Sequence, residues 1–361
     1  MVIQMNRFIL SIVGLIIISG CYGVVRLNEG VDFHNDIEPL NLKSPTFQWK
    51  KSTKDPIQDM IIVNDSLVLV WTHRGSVMIM NMNNGEKQGT SWTPSMGHIT
   101  YLTISNDGNL FFYISMKNDL VGAYDIRSGK HLWKNRVDHL IKNKPIILSD
   151  SEVVFGTRMG LELYDAYNGE LIKEKNSRFG LIKIISSTDG RILVATDDGH
   201  LNCYDHHLKK LWTQDLKLDL HLREYVEHDR IFVGPGNDTL WVLDMKTGII
   251  IHGLDFVNGF DFRVRDNDLF LLYRDGRLIR RDINGQTSWT SDFKLGLPIE
   301  SFFHANTNLF IPFAKGVAIS VETEKGMEIW RSDTLRRLTG FWRSGTGFLM
   351  QDIEFQMQYY K

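Results

Sequence analysis

A short phrase returns about every 40 residues along this chain, and that period limits the folds available to it. The clearest copy runs from Ala123 to Gly129 and is followed by Leu132-Trp133. The copies centre on residues 81, 125, 165, 205, 244, 282 and 321, so they are 44, 40, 40, 39, 38 and 39 residues apart. A period of this length is typical of repeat architectures, in which each repeat is one supersecondary unit.

Each repeat consists of short apolar runs separated by turn residues. The runs are rich in β-branched and aromatic residues and are too short for ordinary helices, so we predict strands. The Asp of the phrase can start a turn, the Gly can close a hairpin, and the Trp on the last strand can pack against the next sheet. Four strands per period predict the blade of an all-β propeller. The residues assigned to this repeat are Asp125, Gly129, Trp133, Asp165, Gly169, Asp205, Trp212, Asp244, Gly248, Asp282, Trp289 and Trp330.

The two ends of the repeat array complement each other. Phe47–Lys50 has the form of a last strand without a blade, and the segment from Leu338 to Tyr360 contains three strands without a fourth. Pairing them would remove two exposed sheet edges that otherwise favour aggregation. We therefore predict eight four-stranded antiparallel blades, closed by the N-terminal strand joining the C-terminal blade. A seven-bladed ring with irregular ends is the alternative.

The N-terminus differs in kind from the repeats. Phe8–Ile18 is almost wholly apolar, and Ser19-Gly20-Cys21 follows it, which resembles the lipobox of a bacterial lipoprotein. We predict a signal peptide over 1–20, a diacylated Cys21 with a polar tether over 21–44, and a propeller over 45–361. An uncleaved anchor with an incidental Cys is the alternative. Cys203 is the only other cysteine, so the mature chain has no intramolecular disulfide, and the net charge of −2 gives no support for nucleic acid as a partner.

The phrase Ala123-x-Asp125-x-x-Ser128-Gly129-x-x-x-Trp133 resembles the blade motif of quinoprotein-type propellers. A lipobox, a short tether and a propeller without an added domain are similar to one branch of that superfamily, the BamB lipoproteins of the outer-membrane β-barrel assembly machinery. The resemblance implies a non-catalytic scaffold, without cofactor, that helps β-barrel proteins insert. It implies an anchor at the periplasmic face of the outer membrane, because residue 22 is Tyr rather than Asp.

One local match concerns a partner site. Leu220-x-Leu222-Arg223 resembles the Leu-x-Leu-Arg segment with which BamB proteins dock on the barrel-forming subunit. The resemblance implies apolar contact through the leucines and a charge-assisted hydrogen bond through Arg223. It also implies that the companion lipoproteins of the barrel-forming subunit are partners. The family's second contact is acidic, and here only Asp261 corresponds. An ordinary first strand with alternating Leu is the other interpretation of this segment.

Catalytic and metal interpretations have less support. Quinone-dependent enzymes are longer and typically contain adjacent cysteines, which this chain lacks. His200, Cys203, Asp205, His206 and His207 are dense in metal-ligand types, but His200 and Cys203 fall on opposite faces of a strand, so we predict a polar hairpin. Residues 265–268 read as a turn rather than a calcium loop. We predict no catalytic, cofactor or metal site. There are two alternative functions. One is a module that binds another envelope complex or a polysaccharide, and the other is a quinone-binding sensor or enzyme.

Overall fold

A computed structural model describes residue 42 and residues 44–361, apart from 65, 93–98, 127–129, 187–189, 218–222, 228 and 237. Its strands form eight four-stranded antiparallel sheets arranged as the blades of a propeller. The described part of the chain contains no helix, and so none that is long and apolar enough to cross a membrane. The fold class is the one predicted.

Every blade follows the same order from the central channel outwards. The innermost strands of blades 1 to 8 are β2 (Ile57–Ile62), β6 (Tyr101–Ile104), β10 (Ile146–Ser149), β14 (Leu181–Ser186), β18 (Arg223–Glu227), β22 (Gly259–Arg265), β26 (Phe303–Ala305) and β30 (Leu338–Arg343). The second strands are β3 (Leu67–Thr72), β7 (Leu110–Ser115), β11 (Glu152–Thr157), β15 (Ile192–Thr196), β19 (Arg230–Gly236), β23 (Asp268–Tyr273), β27 (Asn308–Phe313) and β31 (Phe348–Asp352). The third strands are β4 (Val77–Asn81), β8 (Leu120–Asp125), β12 (Gly160–Asp165), β16 (His200–Tyr204), β20 (Thr239–Asp244), β24 (Arg277–Asp282), β28 (Val317–Glu322) and β32 (Gln356–Tyr360). The outermost strands are β5 (Glu86–Trp92), β9 (Lys130–Arg136), β13 (Leu171–Asn176), β17 (Lys210–Asp215), β21 (Ile250–Asp255), β25 (Thr287–Asp292), β29 (Glu328–Arg331) and, for blade 8, β1 (Phe47–Ser52).

The ring closes through the two ends of the array, as predicted. β1 pairs antiparallel with β32, from Phe47 opposite Tyr360 to Ser52 opposite Gln356. The Thr46 amide also donates to the Lys361 carbonyl (2.8 Å), which extends the ladder by one residue. Because β1 supplies the fourth strand of the last sheet, the propeller has eight blades and not seven.

The turn role predicted for the repeated Asp is confirmed in the hairpins between third and fourth strands. The carboxylate of Asp165 accepts hydrogen bonds from the amides of Tyr167 and Asn168, both at 2.9 Å. Asp205, Asp244 and Asp282 accept backbone amides in the same way. Asp125 ends β8 at the equivalent position, and Gly129 lies outside the described residues.

Blade 7 needs one correction. The turn begins at Glu322 rather than at residue 321, because the Gly326 amide donates to the Glu322 carbonyl (3.0 Å) as the Gly169 amide does to Asp165. The misplacement arose because this copy has Glu where five copies have Asp and the first has Asn81.

Tryptophans on outermost strands join neighbouring blades. The Trp133 indole N–H donates to the Ala166 carbonyl of blade 3 (2.8 Å), and its ring lies so close to Gly169 that an added Cβ would fall 2.4 Å from it. We call this arrangement a tryptophan lock. Among the described residues it recurs at alternate junctions, as Trp49 on Gly85, Trp212 on Gly248 and Trp289 on Gly326. Trp330 packs edge-on against Tyr360, with no glycine opposite it.

The antiparallel order places the connections between blades on one face of the disc. These connections include residues 137–145, 177–180 and 256–258, and the turns between second and third strands lie on the same face. We call it the linker face. Thr46 and Lys361 lie at the opposite face, with the turns between third and fourth strands. There Leu42 is buried among blades 7 and 8, and the Asn308 amide donates to its carbonyl (3.0 Å).

Candidate functional site

Four of the eight inner strands begin with the same irregularity in their pairing. The register shifts between the first and third residues of β2, β14, β22 and β30. A bulge at this point bends the strand and re-aims a side chain. The third residue is Asp59 in blade 1, Lys183 in blade 4 and Asp261 in blade 6, so three blades place a charge at the linker-face end of the channel. We call this end the channel mouth.

The charges at the channel mouth are largely paired. Lys183 forms an ion pair with Glu224, Lys144 pairs with Asp59 (2.6 Å), and Arg263 pairs with Asp261 (3.1 Å). The first pair joins blades 4 and 5, the second joins the connection between blades 2 and 3 to blade 1, and the third lies within β22. They place charges of both signs at the mouth.

Arg223 is the first residue of β18 and lies half-buried at this mouth. Its guanidinium sits 5.9 Å from the centroid of the Phe260 ring in the next blade, a cation–π distance. No ion pair joins it to a carboxylate within the described residues. Arg223 therefore keeps hydrogen-bond donors available while its side chain is held over an aromatic face.

The charge of Arg223 lowers the pKa of two nearby carboxyl groups, against the effect of their burial. Burial raises the pKa of Glu224, and the positive charges of Lys183 and Arg223 oppose that rise. Burial likewise raises the pKa of Glu300; Arg223 opposes it, while Asp59 and Asp261 add to it. Four blades thus contribute charges that interact at one site.

Asp261 is placed differently from Arg223. Only 1% of Asp261 is exposed, and one of its oxygens accepts a hydrogen bond from Arg263. The other oxygen is buried and has no hydrogen-bond partner among the described residues. Asp261 orients Arg263, whose guanidinium lies 5.1 Å over Phe302 and also donates to the Phe262 carbonyl (2.6 Å). Direct contact between Asp261 and a partner protein stays a prediction.

Three further predicted site residues lie outside the described residues: Leu220, Leu222 and Cys21. The segment before the two leucines is anchored by Leu216, which is buried between blades 4 and 5. Directly after them, Arg223 begins β18. The structure brings Arg223 and Asp261 to the inner strands of neighbouring blades, and their role in docking stays a prediction.

Sequence reasoning missed most of the mouth: Lys183, Glu224, Phe260, Arg263, Glu300 and Phe302. The usable signal was positional and reaches only Lys183, because the third residue of the inner strand is charged in blades 1, 4 and 6 alone. The register shift at this position has no sequence signature here.

The cluster around Cys203 forms a hairpin, as predicted. Cys203 is fully buried against blade 5, whereas His200 lies on the other face of β16. No group of three His, Cys, Asp or Glu residues able to hold a metal ion is found in the described residues. The Asp266 region is a turn, and Asp268 pairs with Arg280 (2.6 Å).

The family model described as outer membrane protein assembly factor BamB matches residues 117–331. The solved structure of BamB from Moraxella catarrhalis is 15% identical, with a TM-score of 0.71, over 88% of this chain and 99% of that one. The computationally designed Ika8 protein is 12% identical, with a TM-score of 0.68, over 86% and 97%.

No curated protein matches the chain. At these identities the two solved structures show the propeller fold alone. The family model covers more than half of the sequence, including the blades that form most of the channel mouth. The chain belongs to the family of the outer membrane protein assembly factor BamB.

Proposed function

We propose that this protein is a non-catalytic scaffold that assists the assembly of β-barrel proteins in the outer membrane. Its partner is the barrel-forming subunit of the assembly complex, together with that subunit's companion lipoproteins. Membership of the BamB family supports this function. A rigid propeller that presents charged groups at one face suits a role in holding a partner.

The observation that carries the proposal is the placement of Arg223. The segment that resembles the family's docking segment ends at the channel mouth, where Arg223 is held over Phe260 without an ion pair to the described residues. A preorganised guanidinium loses little freedom on binding and can donate two hydrogen bonds to one carboxylate. Leu220 and Leu222, next to it in sequence, supply the apolar contact that excludes water around such an anchor.

The anchor and the location belong to the same proposal. Cys21 carries the lipid, and the polar segment after it tethers the propeller to the periplasmic face of the outer membrane. The sequence before Cys21 supports this assignment. Incorporation of labelled palmitate into the wild type, and its absence in Cys21→Ser, is the expected result; equal labelling of both would contradict it.

Affinity capture from gently solubilised membranes tests the docking site. We expect the wild type to recover the barrel-forming subunit, and Arg223→Glu to reduce recovery by about tenfold or more, since loss of one charge-assisted contact costs at least about 1.4 kcal/mol. Arg223→Gln should have an intermediate effect. The matched control is Arg136→Glu, which reverses an exposed charge at the rim of the same face.

Thermal melts of all three variants separate binding from folding. Unchanged melting with reduced recovery supports the docking role of Arg223. If Arg223→Glu recovers as much of the barrel-forming subunit as the wild type does, Arg223 is not part of the docking site. Recovery of a different envelope complex by the wild type would overturn the function itself.

A further inference from the structure

The junction between blades 3 and 4 lacks a tryptophan lock. Lys173 occupies the Trp position on β13, and Leu208 occupies the Gly position of the following turn, with φ at 57°. The Lys173 ammonium donates to the His207 carbonyl (2.6 Å), which makes a polar tie where the junctions with a tryptophan lock have an indole. The inner part of this junction is still apolar, with Leu163, Val194 and Leu208 in one cluster.

The outer part of the junction is polar on its blade 4 side. The residue three before the turn Asp faces the preceding blade, and it is Trp241, Ile279 and Ile319 in blades 5 to 7. In blade 4 it is Asn202, which is only 5% exposed and accepts a hydrogen bond from the Thr213 hydroxyl (2.9 Å). A cavity of about 290 Å³ opens above it. This volume is near the lower end of the range for small-ligand sites, about 300 to 1,000 Å³.

The cavity carries an excess of positive charge. Lys175, Arg178 and Lys210 line it, and none of them forms an ion pair with a described residue. The one carboxylate in the lining, Asp198, is already engaged by the Thr196 hydroxyl (2.6 Å) and by the His200 imidazole (2.8 Å). An anionic group is the ligand that such unpaired donors favour.

Aromatic faces border the same cavity. Phe179 is 42% exposed, and its ring lies parallel to that of His200, at 8° with centroids 6.5 Å apart. Tyr204 lines the wall beneath Lys210. A flat ring beside hydroxyl and amide groups suits a sugar, whose ring has an apolar face and a rim of hydroxyls.

We propose that the cavity between blades 3 and 4 binds an acidic saccharide, a sugar ring bearing a carboxylate or a phosphate. Arg178 and Lys210 hold the acidic group, Asn202 and Thr213 bind sugar hydroxyls, and Phe179 packs on the ring. The cavity lies between outer strands and extends from Arg178 and Asp198 at the linker face towards Tyr204 and Lys210. It is therefore separate from the channel mouth, and the proposal does not depend on the docking function.

Calorimetric titration of the mature propeller tests the site with four probes: a digalacturonate, glucose 6-phosphate, maltose and inorganic phosphate. We expect at least one acidic sugar to bind with a Kd below about 10 mM, and maltose and inorganic phosphate to bind at least about tenfold more weakly. Whether the carboxylated or the phosphorylated sugar binds tighter identifies the acidic group.

Variants locate the binding. Arg178→Gln/Lys210→Gln should weaken the acidic sugar by about tenfold or more, and Phe179→Ala should weaken it by a smaller factor. The matched control is Lys246→Gln, which removes an exposed lysine from the opposite face and should leave affinity unchanged. No acidic sugar binding at about 10 mM, equal binding of inorganic phosphate, or unaltered binding by the double variant would each overturn the proposal.

Discussion

Blade 3 contacts its two neighbours in different ways, although all three blades derive from the same repeat. Towards blade 2 it receives Trp133, which stacks on Tyr164 at 18° and fills the space over Gly169. Towards blade 4 it presents Lys173 at the same register position, and Asn202 and a cavity lie beyond it. One repeat therefore supports two kinds of junction: a filled one that stabilises the ring and a polar one that can bind a ligand.

The filled junction should account for the largest single loss of stability. Trp133 is 7% exposed, so Trp133→Ala removes a nearly buried indole and its hydrogen bond to Ala166. We expect the free energy of unfolding to fall by about 3–5 kcal/mol, the usual cost of such a truncation. Denaturant titration measures it. A loss below about 1 kcal/mol would show that the lock does not hold the ring together.

The glycine beneath the indole should be the next most sensitive position. Gly169 has φ at 73°, and an added Cβ would lie 2.4 Å from the Trp133 ring, so Gly169→Ala combines backbone strain with a clash. Gly190→Ala is the control, because Gly190 has φ at 76° but nothing within 4 Å of the added Cβ. We expect about 1 kcal/mol for the control and about 1–2 kcal/mol more for Gly169→Ala. Equal losses in the two variants would mean that the ring can move aside.

These two positions show how much the sequence predicted. The period, the strands, the turn Asp and the outer position of the Trp all followed from residues within one repeat. The lock joins the Trp of one blade to the Gly of the next, and its presence at alternate junctions appears only when neighbouring repeats are compared. The absence of both partners at Lys173 and Leu208 was readable in the sequence, whereas the cavity was not.

The channel mouth was harder to predict for a different reason. Arg223 and Asp261 were singled out through a resemblance, and the structure places them on adjacent strands. The burial of Asp261 and the role of Arg263 depend on how inner strands bend at their bulges. A bulge adds one residue to one strand of a pair, and no residue pattern common to β2, β14, β22 and β30 marks it.

Installing a lock at the polar junction should convert it into the filled kind. Lys173→Trp/Leu208→Gly supplies both partners, and the new indole can stack on Tyr204 as Trp133 stacks on Tyr164. We expect the double variant to be more stable than the sum of its single variants predicts, by about 1 kcal/mol. Additive effects in denaturant titrations would show that a lock needs more than its Trp and Gly.

A smaller effect should depend on pH at the filled junction. Glu162 occupies the position that Asn202 has in blade 4, and burial raises its pKa, which Glu174 also raises and the hydrogen bond from Tyr164 opposes. A raised carboxyl pKa favours the folded state at pH below the ordinary value of 4.5, and that contribution is lost as the pH rises through the folded-state pKa. The free energy of unfolding of Glu162→Gln, relative to that of the wild type, should therefore increase as the pH rises from 4 to 7. A difference that stays constant with pH would contradict this assignment.

The smallest effect is expected at Lys173, and it tests the comparison most directly. Lys173→Ala changes the register position of Trp133→Ala, but it removes an exposed ammonium whose described hydrogen bond is the one to the His207 carbonyl. Exposed hydrogen bonds contribute little because water replaces them, so the loss should be about 0.5 kcal/mol or less. Denaturant titration of the two variants in parallel gives the ratio of the losses in unfolding free energy at the two junctions. Similar losses would mean that the polar tie holds blades 3 and 4 as firmly as the indole holds blades 2 and 3, and the distinction between the two junctions would then fail.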